Sequence, residues 1–118
     1  MRANLRVHLA ERAIAERPRL EARRAEAMTI ARSTAARLRN EFGATRVAIF
    51  GSLAREDFGL DSDIDIVVWG VARSKQATAF CALGAEQDAP GSFGPDIVFA
   101  DSASQEFVHA IQDQVLDI

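Results

Sequence analysis

Gly51, Ser52, Asp63 and Asp65 are the residues of this chain whose types and spacing suit chemistry. An apolar run over residues 46–50 stops at the Gly51–Ser52 pair, and ten residues later a second apolar run opens with Asp63 and Asp65. Side chains of a strand alternate between faces, so the two aspartates leave the same end of one strand on the same side. Carboxylates held that close repel each other unless a cation sits between them. A Gly-Ser turn that opens a helix turns backbone N–H groups toward a phosphate. Asp96 opens a further apolar run in the same sense. Three carboxylates at neighbouring strand ends suit a hard cation such as Mg2+, which takes few carboxylates and completes its shell with phosphate oxygens and water. Two such ions clamp the attacking and leaving oxygens of a phosphoryl or nucleotidyl transfer. The expected chemistry is therefore that of a metal-bound nucleoside triphosphate.

The elements that must position these residues can be read around them. Strand one is expected over 46–50, apolar on both faces and so covered on both. A short helix should run from Gly51–Ser52 to about Glu56, followed by a loop over residues 57–62. Strand two is expected over 63–69, with Ile64, Ile66 and Val68 on one face and Asp63, Asp65, Val67 and Trp69 on the other. A helix over 74–87 should turn Ala77, Phe80, Cys81 and Leu83 or Ala85 inward. Residues 88–95 are rich in turn formers, and strand three follows over 96–100. Ser102 with Gln105 has the spacing of a capping box, and Phe107, Val108, Ile111 and Val115 mark a closing helix. Upstream, Met28, Ala31, Ala35, Leu38 and Phe42 form one apolar stripe on a long helix that Gly43 should end. Leu5, Leu9 and Ala13 suggest helix before Pro18, where a break or kink is expected unless the proline opens the second helix.

The length, 118 residues, suits one domain with a modest core, and the composition is that of an ordinary globular chain. No apolar stretch is long enough to span a bilayer, and the first residues lack a signal-peptide core, so no membrane association is expected. The single cysteine, Cys81, cannot pair within the chain and reads as a small core residue, with a cytoplasmic location as the default. Charge is unevenly spread. Residues 1–46 hold eleven arginines against five glutamates, while residues 47–118 hold three basic residues against twelve acidic ones. Arginines interleaved with glutamates read first as a solvated helix face, so direct binding of nucleic acid is not expected. An N-terminal half that projects and meets a partner is the sharper reading. His8 and His109 have no metal-pair spacing, Trp69 reads as core or edge rather than a base-stacking platform, and no Walker-type loop is present.

The stretch Phe50-Gly51-Ser52-Leu53-Ala54-Arg55, followed by Ser62-Asp63-Ile64-Asp65-Ile66, resembles the signature of the DNA polymerase β-like nucleotidyltransferases, and is most similar to the minimal nucleotidyltransferases. The likeness covers about residues 36–118, giving a nucleotidyltransferase domain there and an N-terminal helical extension over 1–35. It implies an α/β (α+β) fold, with a small mixed sheet and packed helices behind a long helical segment. It implies that Gly51 and Ser52 hold the triphosphate, that Asp63 and Asp65 bind two Mg2+ ions, and that Asp96 joins them and activates the acceptor hydroxyl. Arg55, one turn after Ser52, is expected to contact phosphate. Glu56 stands where the family commonly has glycine, adding a carboxylate near the triphosphate.

Little chain follows Asp96 to build an acceptor pocket, so the acceptor is expected from another molecule or from a homo-oligomer. Minimal nucleotidyltransferases occur as antitoxins beside HEPN-type toxins, and the resemblance implies transfer of AMP from ATP to a hydroxyl of such a toxin. The chain contains no tyrosine and cannot be its own tyrosine acceptor. Two other readings stand beside this one: an antitoxin that neutralises its partner by binding alone, and a transferase for small molecules such as aminoglycosides.

Overall fold

In the computed structural model, residues 2–55, 59, 63–84 and 94–118 are described, with side chains from residue 17 onward. The first element, α1, is a single helix over Arg2–Phe42 with Pro18 inside it. The break expected at Pro18 is therefore absent. A proline removes one helical N–H and crowds the preceding turn at about 3 kcal/mol, and the strong helix formers on either side outweigh it here. The helix ends where Gly43 adopts φ +74°, and the Ala44 N–H donates to the Leu38 carbonyl at 3.0 Å.

Beyond α1 come β1 (Arg46–Phe50), α2 (Ser52–Arg55), β2 (Ile64–Trp69), α3 (Arg73–Gly84) and β3 (Pro95–Phe99). A 3-10 turn over Ala100–Ser102, α4 (Gln105–Ile111) and β4 (Leu116–Asp117) complete the chain. The four strands form one mixed sheet in the order β3-β2-β1-β4. β1 runs antiparallel to β2 and to β4, and β2 runs parallel to β3. The mixed α/β architecture and the long N-terminal helix are those expected from the sequence.

The sheet is covered on both faces. On one, Ala27, Ala31, Ala35 and Leu38 of α1 pack with Val47, Ile49, Ile64, Ile66 and Val68, together with Ala79 and Leu83 of α3. On the other, Ala48 and Val67 pack with Ala100 and Ile111, flanked by Phe50, Trp69 and Phe107. The alternation read from strand two therefore holds from Ile64 to Trp69, while Asp63, expected as its first residue, stands just before the strand. On α1, alanines at the contact let the helix approach the sheet closely, and Leu38 fills the gap beside them.

Three details depart from expectation. α3 turns Leu83 inward as expected, but beside it Ala79, whereas Ala77 and Cys81 are exposed and Phe80 is 47% exposed. Cys81 is thus a surface residue, not a core one. Small and apolar residues surround that helix on every side, so period alone did not select the buried face. α4 is capped by Ser104, whose hydroxyl accepts from the Phe107 N–H at 3.1 Å, rather than by Ser102. Ser102 instead donates to Gln76 Oε1 at 2.9 Å. Finally, α4 stops at Ile111, and Val115 leads into the unforeseen edge strand β4. The end of the helix expected over 74–87, Glu56 and most of the loop over 57–62 lie outside the described residues. Among the described residues no helix is long and apolar enough to cross a membrane.

Candidate active site

The site is built where three segments meet at one end of the sheet. The β1–β2 register sets Phe50 opposite Asp65, so the two side chains share a face. The β2–β3 register sets Asp96 beside Asp65. Parallel neighbours in register also face the same side, about 4.8 Å apart. Immediately after Phe50 the chain turns at Gly51, with φ +72°, into α2. That short helix is anchored by the buried Leu53 and closed by the Arg55 N–H donating to the Gly51 carbonyl at 3.1 Å.

Asp65 is the hub. A Cβ placed on Gly51 would lie 2.6 Å from Asp65 Oδ2. The glycine therefore serves twice: it adopts a left-handed φ, and it leaves room for a carboxylate against the turn. Asp65 itself is half-buried. Its carboxyl is held above the usual carboxylate range, first by burial, then by the charges of Asp96 and Asp63, with Arg55 pulling the other way. Four of the six residues singled out from the sequence thus act on one another: Asp63, Asp65, Asp96 and Arg55. Gly51 touches Asp65, and Ser52 follows as the first residue of α2. Asp63 stands just before the strand rather than in it, and both it and Asp96 are exposed.

Phe50 was not singled out from the sequence, yet it is the apolar neighbour across from Asp65. Its ring meets Phe107 of α4 edge-on, with centroids 5.7 Å apart and planes at 81°. Parity along β1 was the available signal, since Phe50 falls on the face of Ala48, the same face of the sheet that carries Asp65 and Val67 on β2. At the far end of that face, Trp69 is half-buried beneath Arg46, whose guanidinium carbon lies 4.3 Å from the ring centroid. Arg46 also pairs with Asp117 at 2.7 Å. This fits the edge role expected of Trp69.

Among the described residues no three acidic, histidine or cysteine side chains gather closely enough to hold a metal ion on their own. The donor set nevertheless fits a hard cation whose shell is completed by phosphate oxygens: it is oxygen only, and the charges of Asp96 and Asp63 bear on Asp65 from beside it.

Comparison with known proteins agrees with this geometry. One solved structure, described as the crystal structure of a toxin-antitoxin with AMP-PNP, superposes with a TM-score of 0.54 at 20% identity, covering 72% of this chain and 69% of that one. At that identity the likeness speaks for the fold. No curated protein matches the chain. The nucleotidyltransferase domain family matches residues 31–113, a span that takes in Gly51, Ser52, Arg55, Asp63, Asp65 and Asp96. The sheet, the glycine turn and the facing carboxylates are the parts such a domain needs, and this chain belongs to the nucleotidyltransferase domain family.

Proposed function

We propose that the chain is a Mg2+-dependent nucleotidyltransferase that moves AMP from ATP to a hydroxyl of a protein partner, in the manner of an antitoxin acting on a HEPN-type toxin in the cytoplasm. The observation that carries the reading is the Asp65 carboxyl, packed against the Gly51 turn and burdened by two neighbouring carboxylates. A carboxylate is kept in such a place when a cation relieves it in the working state. The fold shared with a toxin-antitoxin structure crystallised with AMP-PNP supports both the nucleotide and the protein partner. In this reading the transferase unit, expected over residues 36–118, also takes in α1 from Ala27, whose side chain joins the core, and the residues before it are the appended arm.

Asp63 and Asp65, with Asp96, would hold the divalent ions, which supply charge neutralisation for the carboxylates and the triphosphate. The Gly51–Ser52 turn binds phosphate oxygens through the N–H groups at the start of α2. Arg55 sets a positive charge beside the same phosphates. Asp96 accepts the proton of the acceptor hydroxyl. The hydroxyl oxygen bonds to the α-phosphorus, the bond from that phosphorus to the bridging oxygen breaks, and pyrophosphate leaves. The chain's contribution is positioning and preorganised charge.

The test is label transfer. The protein is incubated with Mg2+ and α-labelled ATP in lysate of its native host, beside an Asp63→Asn/Asp65→Asn control. A labelled protein band that the control lacks supports the proposal and identifies the acceptor by mass. A captured partner without any label would replace it with neutralisation by binding alone.

A further inference from the structure

On the face of the sheet that carries Asp65, the strand registers set Phe50 of β1, Asp65 of β2 and Asp96 of β3 abreast in one row. Neighbours in such a row stand about 5 Å apart. Asp65 is thus flanked by an aromatic ring on one side and by a carboxylate on the other. Asp63 and Asp96 are exposed, whereas Asp65 is half-buried. Its cover therefore comes largely from the β1 side, where Phe50 stands and where the Gly51 turn leaves no room for a Cβ, which would lie 2.6 Å from Asp65 Oδ2.

The Phe50 ring is itself held from behind. One row deeper on the same face, Ala48 and Val67 are fully buried and cluster with Ile111 of α4. Phe50 and Phe107 border that cluster and are only half-buried. The pair therefore stands at the rim between the core and the carboxylates. Its edge-on contact, at 5.7 Å between centroids and 81° between planes, fixes how the Phe50 ring is turned. Phe107 is pinned in its turn. Its N–H donates to the Ser104 hydroxyl at 3.1 Å, and Ile111, one turn further along α4, is buried in the cluster. Yet α4 contributes none of the residues proposed to hold the divalent ions.

We propose that Phe107 is a positioning residue: through its edge-on contact it holds the Phe50 ring against the β1 flank of Asp65, keeping water from that flank and confining the carboxylate to the side it shares with Asp96. The inference rests on the reading of Asp63, Asp65 and Asp96 as ligands of divalent ions. A carboxylate free to swing toward β1 loses that freedom when it takes an ion, whereas a confined one is ordered beforehand. Groups that orient a metal ligand from behind typically alter metal affinity about 10- to 100-fold.

Binding of Mn2+ in the presence of AMP-PNP, followed by electron paramagnetic resonance, tests it. Phe107→Ala should weaken Mn2+ binding on the order of tenfold, and Phe107→Leu, which refills most of the ring's space, should restore most of the loss. Ile111→Ala empties the buried centre of the same cluster. It should lower the melting temperature at least as far as Phe107→Ala does, yet leave Mn2+ affinity unchanged. Should the alanine variant at 107 not fold, Phe107→Val takes its place. A second measurement needs no ion. Asp65→Asn relieves a shielded charge, so its gain in melting temperature should shrink in the Phe107→Ala background, where water reaches the carboxylate. Unaltered Mn2+ binding by Phe107→Ala, or an equal loss in Ile111→Ala, overturns the proposal. So does an Asp65→Asn gain of the same size in both backgrounds. A wild type that binds no Mn2+ with AMP-PNP sinks the proposed reaction instead, and the stability comparison then decides the role of Phe107 on its own.

Discussion

At the residue scale, Asp65 sets the proposed chemistry against stability. Its neighbours Asp96 and Asp63 share its charge, and burial withholds water from it. Replacing it with asparagine keeps the shape and removes the charge. We expect Asp65→Asn to lower nucleotidyl transfer by about 100-fold or more and yet to unfold at a higher temperature. The gain should stay within about 1 kcal/mol, since the group is partly solvated. Its pH dependence follows from the direction of the shift. A carboxyl whose folded-state pKa lies above its unfolded value favours the fold below the unfolded pKa, and that contribution is lost as pH rises through the folded value. The advantage of the asparagine variant should therefore grow from acidic to neutral pH. Urea midpoints of both proteins across that range check it, and a wild type favoured at neutral pH would contradict the account. That Asp63, Asp65 and Asp96 come together was legible in the sequence, because acidic residue type and position at the ends of apolar runs carry it. The close approach of Gly51 to Asp65 was not, because it depends on how two strands register.

At the element scale, the β1–α2 turn fixes that approach. Gly51→Ala adds a Cβ 2.6 Å from Asp65 Oδ2, in a backbone conformation at φ +72° that alanine resists. Strain of this kind costs about 1–3 kcal/mol, and either the turn or the carboxylate must yield. Thermal unfolding should show the loss, and transfer activity should fall further than Gly43→Ala reduces it. Gly43 is the right comparison because it shares the left-handed φ, at +74°, while nothing lies within 4 Å of its added Cβ. Equal activity in the two variants would remove the steric argument and leave only backbone strain. The elements themselves were legible wherever apolar residues recur with a clear period, as in β1, β2 and the stripe of α1. They were not where the signal is flat. Past its first turn α3 is all small or apolar apart from Thr78, so Leu83 was found as an inward residue but Ala79 could not be told from Ala77, Phe80 and Cys81. β4 is two residues long and owes its strand character to pairing with Ala48 and Ile49, not to its own composition. Pro18 carries a strong local preference that the helices flanking it override.

At the scale of the whole molecule, α1 joins two regimes of stability in one continuous helix. From Ala27 to Leu38 its buried side chains belong to the cooperative core. Over residues 17–26 no residue is more than half-buried, and helices with few tertiary contacts are marginal in water. Trp69, the chain's one tryptophan, sits on the opposite face of the sheet and reports the core alone. Far-UV circular dichroism instead weights every helical residue, and α1 supplies 41 of them. In dilute solution the two probes should not coincide on heating. Ellipticity should fall gradually first, as the projecting part melts, and Trp69 fluorescence should change later in one sharp step. Coincident transitions would mean that the helix is one cooperative unit from end to end.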